Sequence, residues 1–232
     1  MKTTWLTHLF DLFFPHLCLA CGENQLQGNA ILCFSCQRKL PATEMHTMQE
    51  NRFTDRFFGR IYLQAGAAMY HFKEGNQVQA LIHQLKYKGK SSVGKKLGID
   101  YGKLLANSPF FSNIDIIVPV PLHPTKERKR GYNQSDYFAM GLAKTMQKPW
   151  LRKGLIRTKY GASQTQKTRL ERYENVLQSF KVGQITALKG KHVLLVDDVL
   201  TTGATLEACA TKILAIPDTK ISIVTIAIAG TT

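Results

Sequence analysis

The chain has 232 residues, 44% of them hydrophobic, and carries 31 Lys and Arg against 16 Asp and Glu, a formal net charge of +15. That length and apolar content exclude a disordered polymer and leave room for one domain of ordinary size with a small appendage. No apolar run approaches the ~18 residues of a membrane span, so the expectation is a cytoplasmic protein without one. The basic excess points to polyanionic partners, phosphorylated ligands or nucleic acid, although charge alone fits any soluble basic protein equally well.

In chain order, Leu6, Leu9, Phe10 and Phe13 mark one face of a short amphipathic helix over residues 1–15, stopped by Pro15. His8 and Asp11 interrupt the apolar run and no small-residue cleavage site follows, which argues against a secretory leader. Residues 16–40 hold Cys18-x2-Cys21 and Cys33-x2-Cys36, two knuckles eleven residues apart. Four thiolates at this spacing can close a tetrahedral zinc site with no open position for water, hence a structural one. Two disulfides are the competing reading; a reducing compartment disfavours them, as does the cramped ring that a CxxC pair would close. Cys209 is left over, on the apolar face of a later helix, and reads as core.

Residues 41–60 are polar and read as a linker, and residues 61–232 as the main domain. Ile61 to Phe72 reads as a strand, with Gly66 allowing a hairpin. Val78, Leu81, Ile82 and Leu85 set a helical period over Gln77 to Tyr87, which ends in Lys86-Tyr87-Lys88-Gly89-Lys90, a helix stop with a basic tail, and Val93 to Ala106 continues as another helix. IDIIVPV, Ile114 to Val120, is a buried strand closed by prolines. Just after it lie Lys126, Arg128, Lys129 and Arg130, four basic residues in five, at the kind of strand end where open α/β sheets bind ligands. Ser135 to Met146 reads as a helix. Residues 150–180 read as a basic loop containing Arg157 and Lys159, and Ile221 to Ala229 as a late strand. Strands alternating with helices imply an α/β fold with a mainly parallel sheet.

The most informative stretch is Val193 to Ala210, VLLVDDVLTTGATLEACA. A buried strand ends in Asp197 and Asp198. Small hydroxyl residues follow, and then a helix begins. Unpaired backbone amides and the positive end of the helix dipole point into such a loop, and Gly203 lets an anion approach the backbone. The pocket suits a phosphate monoester; the two carboxylates suit sugar hydroxyls or a hydrated Mg²⁺ beside it. A Walker-type site is excluded, because no G-x-x-x-x-G-K-[ST] loop is present.

VLLVDDVLTTGAT resembles the phosphoribosyl-pyrophosphate (PRPP) signature of type I phosphoribosyltransferases. The resemblance implies that Asp197 and Asp198 hold the ribose hydroxyls and that Thr201, Thr202, Gly203, Ala204 and Thr205 hold the 5′-phosphate. It further implies that Mg²⁺ accompanies PRPP, with Arg128, Lys129 and Arg130, and a lid carrying Arg157 and Lys159, as candidates for pyrophosphate. With the cysteine knuckles after LFFP, VPVPLH…RKRGYNQS, and RTKYGASQTQKTRLERYENV, the chain is similar to the ComF family, phosphoribosyltransferase-like proteins tied in some bacteria to natural competence. The family implies a type I phosphoribosyltransferase core with an N-terminal zinc-ribbon-like segment at Cys18, Cys21, Cys33 and Cys36. It implies a pentosyl-transferring glycosyltransferase whose acceptor the pattern does not supply, and other competence proteins as partners. The alternative is a non-catalytic single-stranded-DNA-binding competence factor that retains the fold.

Overall fold

The computed structural model describes residues 15–28, 30–158 and 175–230. The helix expected over 1–15, apart from Pro15, and the lid candidate Lys159 lie outside the described residues.

The cysteine segment comes first: Leu17 bridges Gln25 in antiparallel fashion, and Phe34–Arg38 forms a short helix, α1. The stretch expected to be a linker is instead packed structure. Met45–Thr47 makes a 3₁₀ turn and Arg52–Asp55 a one-turn helix, α2. Asn51 and Thr54 close a capping box, the Asn51 side chain accepting from the amides of Phe53 and Thr54 while Thr54 Oγ1 accepts from the Asn51 amide at 2.9 Å. Phe53 and Phe57, one turn apart, are both fully buried. Burial of two phenylalanines outweighs the polar character of their neighbours, which is why composition misreads the segment.

The expected strand from Ile61 starts later, as β1, Ala65–Phe72, and makes no hairpin. Its small residues let α2 approach; a Cβ on Gly66 would stand 2.6 Å from the Phe53 ring. Helices α3, Gln77–Tyr87, and α4, Ser91–Ala106, follow as the periodicity predicts. Then come β2, Ile116–Pro119; α5, Pro124–Arg130; and α6, Gln134–Met146. Within the segment expected to be loop, Leu155–Arg157 is strand β3, paired antiparallel with β4, Phe180–Val182. The chain closes with α7, Ile185–Leu188; β5, His192–Leu200; α8, Ala204–Leu214; and β6, Lys220–Ala229.

The main sheet has the order β1-β6-β5-β2, all parallel, with β5 and β6 in the centre. The central strands are buried along almost their whole length, as continuous aliphatic runs require when both faces are covered. Helix α6 lies against β2 and β5, and α8 against β5 and β6. Helices α4 and α6 approach until their backbones touch. A Cβ on Gly98 would sit 2.2 Å from the Phe138 carbonyl oxygen, and one on Gly141 would sit 2.3 Å from that of Lys95. This contact fixes α6, whose N-terminus faces the end of β5. Among the described residues, no helix is long and apolar enough to cross a membrane.

Candidate functional site

Strand β5 carries both acids at its C-terminal end, level with the end of β2. Pro119 pairs with Val196, and the Val120 amide donates to the Val196 carbonyl at 2.8 Å. The loop that leaves β2 therefore starts beside Asp197. Asp197 is half-buried and accepts from Ser135 Oγ at 2.7 Å and from the Asp198 amide at 2.8 Å. Burial, and then the charge of Asp198 beside it, push the Asp197 carboxyl up to about 7, against the pull of Ser135. Asp198 points to the other side of the strand and is 6% exposed. Lys86 of α3 reaches it, Nζ to Oδ2 3.1 Å. That contact is electrostatic and not a well-aligned hydrogen bond, for Asp198 Oδ2 is buried and has no hydrogen-bond partner.

After Leu200 the chain turns at Thr201 and Thr202, both exposed, and enters α8 through Gly203, which is buried. Gly203 has φ +83°, a left-handed conformation that side-chain-bearing residues rarely adopt. It caps the helix without a side chain, so no side-chain oxygen occupies the first-turn amides around Ala204 and Thr205. From beneath, the Phe57 ring packs against Gly203, 3.2 Å from where a Cβ would be. Arg60 pairs with the buried Glu207 in the first turn of α8 at 2.6 Å. The former linker thus buttresses the loop.

The RKRGYNQS stretch has a division of labour that the sequence reading missed. Arg128 and Lys129 are exposed on α5, while Arg130 donates to Gln134 Oε1 at 2.5 Å and lies over the Tyr87 ring at 5.4 Å. The Tyr132 hydroxyl donates to the Leu85 carbonyl, next to Lys86. Asn133 donates to the Val120 carbonyl at 2.9 Å and caps α6, which presents Ser135 to Asp197. Arg157 lies in β3, its guanidinium 5.0 Å from the Phe180 ring centre. Its Nε is buried without a hydrogen-bond partner; burial lowers its pKa while the fields of Cys209 and Asp197 oppose that shift. Cys209 is fully buried, and burial pushes its thiol well up, as an inert core residue requires.

A cavity of about 580 Å³ opens among residues of the 49–63 segment, including Thr54, Asp55, Phe58, Arg60 and Tyr62; neither Asp197 nor Asp198 lines it.

At the other end of the chain, the four Sγ atoms of Cys18, Cys21, Cys33 and Cys36 lie within 4.8 Å of one another. A zinc tetrahedron with ~2.3 Å bonds has edges of about 3.8 Å, so the donor set fits one structural zinc. All five cysteines are free thiols, and the four converge as one cluster rather than as two bonded pairs. The Cys33 amide donates to Cys18 Sγ at 3.3 Å, and Asn24 Nδ2 to Cys33 Sγ at 3.4 Å. Backbone amides of Asn24 and Glu23 pull the Cys21 thiol down to about 6, while burial pushes the Cys36 thiol up to about 12.

A phosphoribosyl transferase domain model matches residues 134–230, from the start of α6 through β6. The DNA utilization protein YhgH of Escherichia coli K12 is 30% identical over 141 residues, 58% of this chain. That match spans only 60% of the relative's own length. Competence protein F of Haemophilus influenzae is 24% identical over 205 residues, covering 84% of this chain and 89% of the relative. Competence protein ComFC of Bacillus subtilis is 22% identical over 195 residues, covering 84% and 70%. The matched domain contains Ser135, both aspartates and the loop into α8; the two competence proteins align over most of the chain.

Proposed function

The chain belongs to the ComF family of phosphoribosyltransferase-like proteins, and from that premise we propose that it binds PRPP with Mg²⁺ and transfers phosphoribose to an acceptor, releasing pyrophosphate. The observation that carries this reading is the turn at the centre of the sheet: two carboxylates, two exposed threonines, a left-handed glycine, and a helix whose first amides have no side-chain cap.

In this reading Thr201, Thr202, Gly203, Ala204 and Thr205 grip the 5′-phosphate through hydroxyls and amides. Asp197 and Asp198 hold the ribose hydroxyls and favour the positive charge that grows at C1 as the leaving group departs. Mg²⁺, when bound, neutralises the pyrophosphate and fixes it against the sugar. The buried, unsaturated carboxylate oxygen of Asp198 fits such a partner. Arg128, Lys129 and Arg130, on the helix after β2, and Arg157, near Asp197, are the candidate pyrophosphate ligands. Chemistry at C1 needs no covalent intermediate; the protein contributes anchoring at both ends of PRPP and a field matched to the transition state. The four cysteines hold zinc in a purely structural role. The test is pyrophosphate release from PRPP across a panel of bases, amines and single-stranded DNA. Release with at least one acceptor, lost in Asp198→Asn, supports transfer; no release with any acceptor rejects transfer and leaves only binding.

A second reading has its own support: binding of single-stranded DNA without transfer. Tyr87 is 68% exposed beside Arg130, within a surface that also carries Lys88, Lys90, Lys126, Arg128 and Lys129. Exposed aromatics set among cations stack bases and neutralise phosphates. Relatives named for competence and for DNA utilization agree with it. Affinity for a single strand then falls steeply and linearly on a logarithmic salt scale; a flat response contradicts it.

A further inference from the structure

Lys86 belongs to none of the motifs that define the site, yet its ammonium lies 3.1 Å from Asp198 Oδ2. The two side chains differ in their surroundings: the lysine is 23% exposed and the carboxylate 8%. The carboxylate oxygen is buried and has no aligned hydrogen bond, so the ammonium compensates it by charge alone. The chain on either side of Lys86 is anchored, while its own ammonium makes a charge contact that can swing away. Lys86 sits in the last turn of α3, where the Tyr132 hydroxyl binds the carbonyl of the preceding Leu85, and Tyr87 just after it packs with Arg130 and His83. Tyr132 follows α5, the helix that carries the basic residues after β2, so this hydrogen bond ties the end of α3 to the rim of the site.

A buried carboxylate neutralised by a single flexible ammonium from the solvent side is stable only until a better partner arrives. A small divalent cation concentrates twice the charge and offers directed oxygen coordination, which a single lysine contact lacks. On the reading of the site given above, we propose that Lys86 is a displaceable counter-ion: it closes Asp198 in the ligand-free protein, gives way to a divalent cation, and turns its freed ammonium to the phosphates that arrive with that cation. The acid pair then never stands uncompensated, and the anion and the metal are bound together better than either alone.

Mn²⁺ serves as the probe, titrated by its electron paramagnetic resonance signal on the full chain, with and without PRPP. Lys86→Met leaves Asp198 without its cation and is expected to bind Mn²⁺ alone at least tenfold more tightly than the wild type, while its affinity for Mn²⁺–PRPP falls about tenfold. Lys86→Arg, which keeps the charge, is expected to stay near the wild type in Mn²⁺ alone. Equal Mn²⁺ affinity of Lys86→Met and wild type overturns the proposal. If the methionine variant does not fold, the wild type decides: Mn²⁺ should raise the acylation of the Lys86 amine, mapped by mass spectrometry, and unchanged reactivity overturns the proposal equally. Should PRPP have no effect on any of these proteins while the Mn²⁺ difference persists, the counter-ion exchange stands and the PRPP reading fails.

Discussion

The cysteine segment and the sheet domain are stabilised in opposite ways. Among the described residues, the buried side chains around the four sulfurs are Cys18, Leu26 and Cys36, so one ordinary hydrocarbon is enclosed there. In the sheet domain, β5 and β6 bring Val193, Leu194, Leu195, Val196, Ile221, Ile223 and Val224 to near-zero exposure between helices. One buried leucine contributes about 2 kcal/mol, less than the ordering of two or three residues costs at about 1 kcal/mol or more each. Burial therefore holds the sheet, whereas the knuckles fall short on burial alone and carry a thiol cluster that one structural zinc, worth on the order of 10 kcal/mol, would close. The lesson for function is that such an ion would belong to the scaffold, its four ligands coming from a segment outside the sheet that carries the acids.

Removing the ion breaks the comparison most completely. A strong chelator, or Cys36→Ser, is expected to unfold residues 15–40, seen as new protease cleavage there, while the sheet domain melts cooperatively close to its original temperature. Some loss in the sheet is expected, because Leu19, Ile31 and Leu32 rest against its core. A second change strikes only the sheet. In Gly98→Val the new side chain meets the Phe138 carbonyl and Gly141 backbone, neither of which can yield by a rotamer change. The expected loss is more than about 3 kcal/mol of stability, with zinc content unchanged by metal analysis.

The smallest effect is one of pH. Asp136 of α6 is buried, bound by Arg152 Nε at 2.7 Å and by Trp150 Nε1 at 3.1 Å. Burial wins over both partners and pushes its carboxyl up from 3.8 to about 6. Because the folded value lies above the unfolded one, the protonated acid favours the folded state. That contribution is complete below about pH 4 and is lost as pH rises through about 6, with a slope of at most about −1.4 kcal/mol per pH unit. Asp136→Asn is expected to flatten this part of the stability profile, measured by urea denaturation from pH 4 to 7.

Much of the sheet was readable because it is local. Helix Gln77–Tyr87 and strands β2, β5 and β6 each carry their own periodicity or apolar run, and the acids and hydroxyl loop stand in one uninterrupted stretch. What was missed depends on pairs far apart in the chain. Segment 41–60 looked like a linker because Phe53 and Phe57 were too few to register, although their one-turn spacing and the Asn51-x-x-Thr54 capping box were available signals. Gly94, Gly98 and Gly102 formed a stripe at helical spacing that announced close helix packing. Lys86 was seen only as part of a basic tail, since nothing local connects it to Asp198. Arg157 reads as loop from sequence because its strand partner, β4, lies beyond a long basic stretch.

The central claim, that the acid pair and the loop into α8 form a PRPP site, is tested most directly by thermal unfolding of the full chain with and without Mg²⁺–PRPP. The account predicts a rise in melting temperature that grows with ligand concentration and disappears in the Asp197→Asn, Asp198→Asn double variant, which remains folded and retains zinc. No shift in the wild type, or a shift of equal size in the double variant, would contradict it.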